Sequence, residues 1–172
     1  METFEVKRGL VKQVAGEGGL SSLAARHFDA VESTGDNSFN GNHGILSNID
    51  ANYNLLGKLV VEVVNERPDF DDPNAMEIAM DSRRRWSAFL DEATGYNSKQ
   101  RGDKAKEFAK KASKAKSGIS QARHFMKMAT SLDADITTEA EEMISTIESL
   151  LAAGDNTKAE STAKKLGKML ES

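Results

Sequence analysis

A chain of 172 residues is long enough for a buried core, yet 38% apolar and 6% aromatic side chains are too few for a large compact sphere, which favours an elongated helical shape. The absence of cysteine excludes disulfides and thiolate metal sites and fits a reducing, cytoplasmic setting. The net charge of −4 is unevenly spread: residues 1–98 carry 9 basic and 16 acidic side chains, residues 99–127 carry 10 and 2, and residues 128–172 carry 4 and 9.

Met1 to Lys12 is charged and holds no continuous apolar run, so it reads as neither a secretory signal nor a membrane anchor. No window approaches the roughly 20 apolar residues of a membrane helix, so no membrane partner is expected. Within the first fifteen residues, Phe4 and Val6 alternate as in a strand while Leu10, Val11 and Val14 have helical spacing; the segment leans to helix. Gly16-Glu17-Gly18-Gly19 then breaks the chain, because ordering consecutive glycines costs more backbone entropy than a regular element returns.

Leu20, Leu23, Ala24, His27, Phe28 and Val31 mark an amphipathic helix ending near Ser33. Thr34 to Gly44, dense in Asn, Asp and Gly, reads as a loop. A second helix is expected from Ile45 to Glu66 with Ile45, Ile49, Tyr53, Leu56, Val60, Val63 and Val64 on one face, although the Val60–Val64 piece has strand-like β-branching. Pro68 ends it. Asp72-Pro73 signals a new helix start, Met76, Ala79, Met80, Arg83, Trp86, Leu90 and Ala93 its buried stripe, and Gly95 its close.

The stretch from Ser98 to Ser131 organises the rest. Ala105, Phe108, Ala112, Ala115, Ile119, Ala122 and Met126 recur at alternating steps of three and four residues, the seam of a helix packed lengthwise on another, and its four alanines admit a close partner backbone. Leu132 to Thr137 reads as a break. Thr138 with Glu141, and Thr157 with Glu160, read as capping boxes opening the two helices of a hairpin that turns at Gly154-Asp155.

Chemistry is concentrated on the lysine side of the long helix. Lys99, Arg101, Lys104, Lys106, Lys110, Lys111 and Lys114 form a basic field suited to an acidic partner or a phosphate backbone, or else to neutralisation by acidic neighbours within the chain. The stretch lacks interleaved aromatics and a base-reading set of Arg, Asn and Gln, which favours protein over nucleic acid. In Arg83-Arg84-Arg85, Arg83 lies on the apolar stripe and is expected to pair with a carboxylate such as Asp81 or one from a neighbouring helix, leaving Arg84 and Arg85 to add to a basic surface.

Asp36, Ser38, Asn40 and Gly41 occupy calcium-loop places, but Ser47 stands where the closing glutamate belongs, so a flexible turn is the better reading. Gly16 to Ser22 resembles a phosphate loop in composition alone and reads as a connector. His27, His43 and His124 stand far apart in sequence with no metal-ligand spacing, His27 on an apolar stripe reading as a core or boundary residue, and no Glu-x-x-His pair suggests a di-metal bundle.

The expectation is an all-α fold: an elongated bundle of six or seven helices, with an N-terminal helical part over residues 1–97 and a C-terminal three-helix part over residues 98–172, the two forming one continuous domain. The expected function is non-enzymatic. It is that of a helical adaptor or regulatory protein that recognises a macromolecule through a charge-segregated surface. Its partner is a protein, a second copy of the chain included, with nucleic acid on the basic face of residues 99–127 as the alternative. No cofactor or metal is expected.

Overall fold

The computed structural model describes residues 1–129 and 131–171; Thr130 and Ser172, which fall inside the stretches read above, lie outside the described residues. The chain forms two compact units, Met1–Asp103 and Lys104–Ser172.

The first unit runs β1 (Glu2–Phe4), α1 (Leu10–Gly16), α2 (Gly19–Ala24), β2 (Ala30–Gly35), β3 (Ser38–His43), β4 (Leu46–Tyr53), β5 (Leu59–Asn65) and α3 (Ala75–Thr94). The strands make one five-stranded antiparallel sheet in the order β1-β5-β4-β3-β2. This sheet overturns the all-α expectation and the bundle of six or seven helices: the fold is mixed α and β. The supposed loop Thr34–Gly44 is the end of β2, a turn and β3, and the supposed helix Ile45–Glu66 is the β4–β5 hairpin. The expected helix from Leu20 also stops early, at Ala24, and its second half is the entry to β2.

Side chains alternate across these strands as pleating demands. Phe39 and His43 of β3, Ile49, Ala51 and Tyr53 of β4, and Leu59 and Val61 of β5 are buried. All of these but His43 share a core with Leu20 and Leu23 of α2 and Phe89, Leu90 and Ala93 of α3. Phe89 is fully buried and lies 5.2 Å from Phe28, 5.5 Å from Phe39 and 5.6 Å from Trp86, centroid to centroid. Tyr53 locks the sheet to α3 by donating its hydroxyl to the Ala93 carbonyl at 2.7 Å, and burial pushes that hydroxyl's pKa well up.

α3 begins two residues beyond the expected Asp72-Pro73 start: Asn74 is its N-cap, and the Asp72 carboxylate accepts from the Asn74 N–H at 2.8 Å instead of capping the helix. It ends at Gly95, whose φ of 73° is the left-handed geometry that a Cβ disfavours.

A 31-residue helix, α4 (Ser98–Met128), starts in the first unit and supplies most of its length to the second, which is completed by α5 (Ala134–Ala152) and α6 (Asn156–Leu170). Ala115, Ile119 and Ala122 of α4 share a core with Ala140, Ile144 and Ile147 of α5 and Ala159, Ala163 and Leu166 of α6. Asp133 and Asp155 cap α5 and α6, accepting from the Asp135 and Lys158 N–H groups. The two expected capping boxes are therefore displaced: Thr138 lies inside α5, where its hydroxyl donates to the Ala134 carbonyl, and Thr157 lies inside α6. Acidic residues win both caps because they stand directly before the apolar period and favour the positive helix end.

Candidate recognition surfaces

Three arrangements in the chain place polar chemistry where it meets solvent. The first is the face of the sheet turned away from α3. Pairing aligns Glu32 with Asn40, Asn40 with Asp50 and Asp50 with Glu62, one continuous row across β2, β3, β4 and β5. Asn42, Asn48 and Asn52 flank it.

Asn and Asp are poor strand formers, and a solvated strand position is served better by Thr or Val. Their concentration on this face is therefore a cost to the sheet with no return in packing. The side chains are instead tied together. Asn40 Nδ2 donates to Asn48 Oδ1 and to Asp50 Oδ1, both at 2.9 Å, and Asn48 Nδ2 donates to Asp50 Oδ2 at 2.6 Å. These bonds from Asn40 and Asn48 hold the Asp50 carboxyl below its ordinary pKa, so it stays ionised and fixed in direction. Sequence reasoning missed the row, because Asn-Gly-rich text reads as a loop. The signal that reveals it is the two-residue alternation of Asn40/Asn42 and Asn48/Asp50/Asn52.

The second arrangement ties β3 to α3. His43, 7% exposed, sets Nε2 3.0 Å from Asp81 Oδ2; its Nδ1 lies 2.9 Å from Asp29 Oδ2, close enough for an ion pair but off the line of a hydrogen bond. Asp81 also receives Arg84, and Arg85 Nε at 2.9 Å. The arginine triplet is thus used in the reverse of the expected way: Arg84 and Arg85 take Asp81, while Arg83 has no ion pair among the described residues. The reason is helical geometry, since Asp81 stands three and four positions before Arg84 and Arg85. His27 packs edge-on to Phe89 at 6.1 Å, with Nε2 3.3 Å from Glu92 Oε1.

Hydrogen bonding with His43, then with Arg84 and Arg85, lowers the Asp81 pKa from its ordinary 3.8 to about 2. A carboxylate depressed on folding adds stability above its unfolded pKa and loses it as pH falls through the folded value. Asp81→Asn is therefore expected to remove part of the acid sensitivity between about pH 4 and pH 2, a difference read by following unfolding against pH in the two proteins.

The third arrangement is the basic side of α4, and the structure divides the expected residues into two sets. Arg101 is buried, pairing with Asp91 and donating to the Tyr96 carbonyl at 2.6 Å, so it serves the first unit's interior. Lys104 and Lys111 share Glu107 at 3.0 and 3.2 Å, and Lys114 reaches Glu160 of α6 at 3.3 Å. Lys104 and Lys111 hold the Glu107 carboxyl below its ordinary pKa, and Lys164, then Lys114, do the same for Glu160.

Lys99, Lys106 and Lys110 are exposed and have no ion pair among the described residues. Spaced seven and four apart, they form one stripe opposite the alanine seam. Along that seam Ala115, Ile119 and Ala122 are buried, Phe108, Ala112 and Met126 are half-buried, and Ala105 is exposed.

The remaining sequence candidates lie apart. Asp36 sits in the β2–β3 turn and Ser47 in β4. Gly16 ends α1 and Ser22 lies in α2. His124 is exposed on α4. Among the described residues no three or more His, Cys, Asp or Glu side chains are arranged to hold a metal ion, and no helix is long and apolar enough to cross a membrane.

Residues 1–107 match the model of a family described as a domain of unknown function, DUF5611, and the chain belongs to that family. The match takes in the whole sheet and α1 to α3, and with them the Asn/acidic row. No curated protein and no solved structure matches the chain.

Proposed function

We propose that this chain is a non-catalytic adaptor that recognises macromolecular partners through surfaces of opposite charge: an acidic, asparagine-rich sheet face and a lysine stripe on α4. The observation that carries this reading is the ordered Asn40–Asn48–Asp50 network in a row that also presents Glu32 and Glu62. A face of carboxylates and fixed amides, with no cation among them, suits a basic protein surface and repels phosphate. The reducing, cytoplasmic setting is kept on the absence of cysteine.

A second copy of the chain is one partner of suitable chemistry. Three strand intervals from Glu32 to Glu62 span about 14 Å, and Lys99 to Lys110 spans about 16 Å of helix, so a stripe on one molecule has the length of the row on another. Nucleic acid is the alternative occupant of the lysine stripe, supported by the three ammonium groups without a carboxylate partner among the described residues.

Co-purification from native cells, with and without nuclease, separates these readings. Reversing Glu32 and Glu62 to Lys is expected to release one nuclease-resistant set of proteins, and reversing Lys106 and Lys110 to Glu a different one. Identical partner lists for both variants and the unaltered chain would end the adaptor reading. Salt-dependent retention on a polyanion column, lost on reversing Lys99, Lys106 and Lys110, would favour nucleic acid.

A further inference from the structure

Between the inner face of the sheet and α3 lies a cavity of about 560 Å3, within the range that takes a drug-sized molecule. Leu46 of β4 and Val61 and Val63 of β5 line it, with Trp86 of α3 beside them. Leu46 and Val61 are buried members of the core, so the apolar surface that the cavity leaves open is that of the half-buried Val63 and Trp86.

Two arginines line the same space, Arg67 from the segment after β5 and Arg83 from α3. Arg26, Arg84, Arg85 and Arg101 of the first unit are each paired with a carboxylate. Arg8, Arg67 and Arg83 have no ion pair among the described residues, and of these Arg67 and Arg83 line the cavity together with Glu2 and Glu66. Uncommitted guanidiniums beside an apolar lining are the chemistry that holds an anionic head with an apolar body behind it.

We propose that this cavity binds a small organic carboxylate with an apolar body, its head group taken by Arg67 and Arg83. The two glutamates favour one negative charge over two, since a dianionic phosphate ester would meet their repulsion. The apolar body covers Val63 and Trp86. Nothing in this assignment depends on the surfaces proposed above for macromolecules.

Trp86 is the only tryptophan of the chain, so its emission reports on the cavity directly. Laurate, titrated below its micelle concentration into the full chain, is expected to shift that emission saturably. Arg67→Gln with Arg83→Gln is expected to weaken laurate about ten- to a hundredfold, the worth of a charged hydrogen bond. Both side chains are exposed, so the core is untouched by the exchange. Dodecanol, without the charge, and dodecyl phosphate, with a second one, are expected to bind more weakly than laurate. An emission that does not saturate with laurate, an arginine variant that binds it as tightly as the unaltered chain, or an alcohol or phosphate ester that matches it would each overturn the assignment.

Discussion

Phe89→Ala is expected to destabilise the first unit by about 3–5 kcal/mol, the cost of truncating a large buried aromatic. The ring has no exposed surface and packs near Phe28 of the segment between α2 and β2, Phe39 of β3 and Trp86 of α3 itself. Its removal opens a void between the sheet and α3 that no neighbour can fill without leaving its own rotamer, so both transfer and cavity costs are felt. Against a typical domain stability of about 5–15 kcal/mol, a loss of this size leaves little reserve. Urea unfolding followed by Trp86 fluorescence measures it, and a midpoint within error of the unaltered chain would show that this aromatic cluster does not hold the sheet to α3.

Gly118→Leu is expected to cost the second unit about 1–3 kcal/mol through overpacking. A Cβ placed on Gly118 would already stand 2.9 Å from the Ala163 Cβ, and the Ala163 Cα is 3.7 Å away, so α4 and α6 meet there nearly backbone to backbone. A leucine must push the helices apart and strip contacts from Ala115, Ile119 and Leu166 around it. Gly118→Ala should cost less, because a gain of about 1 kcal/mol in helix propensity offsets part of the clash. Amide exchange in α5 and α6 distinguishes the outcomes: faster exchange for Leu than for Ala is expected, and equal protection in all three proteins would mean that the helices have room to spare.

The long helix was legible because nothing competes with its period. From Phe108 to Met126 the spacing of three and four residues coincides with the positions that are buried or half-buried, and no glycine or proline signal interrupts it strongly. The strands were not legible for the opposite reason. Ile45, Ile49 and Tyr53 are four residues apart, a step that fits a helical turn and is also two strand repeats, so both periods pass through them. The expected helical face runs on through Leu56, Val60 and Val64, whereas the hairpin turn at Asn54–Gly57 resets the period and buries Leu59 and Val61 instead. β-Branching at Val60–Val64 was the better guide. A fully solvated sheet face carries no hydrophobic alternation at all, which is why Asn40, Asn48 and Asp50 looked like loop residues. Pairings such as His43 with Asp81, 38 positions apart, follow from strand and helix register and have no local trace.

β1 covers only the first part of β5, Leu59 to Val61, through its pairing with Phe4, Thr3 and Glu2. Past Val61, the strand is paired on one side only, with β4, among the described strands. Main-chain groups on the other side of that short run are a template onto which a foreign strand can be laid. The charges of Glu62 and Glu66 and the ring of Pro68 sit where they discourage such growth, so neutralising those carboxylates would turn a harmless border into a seed for aggregation.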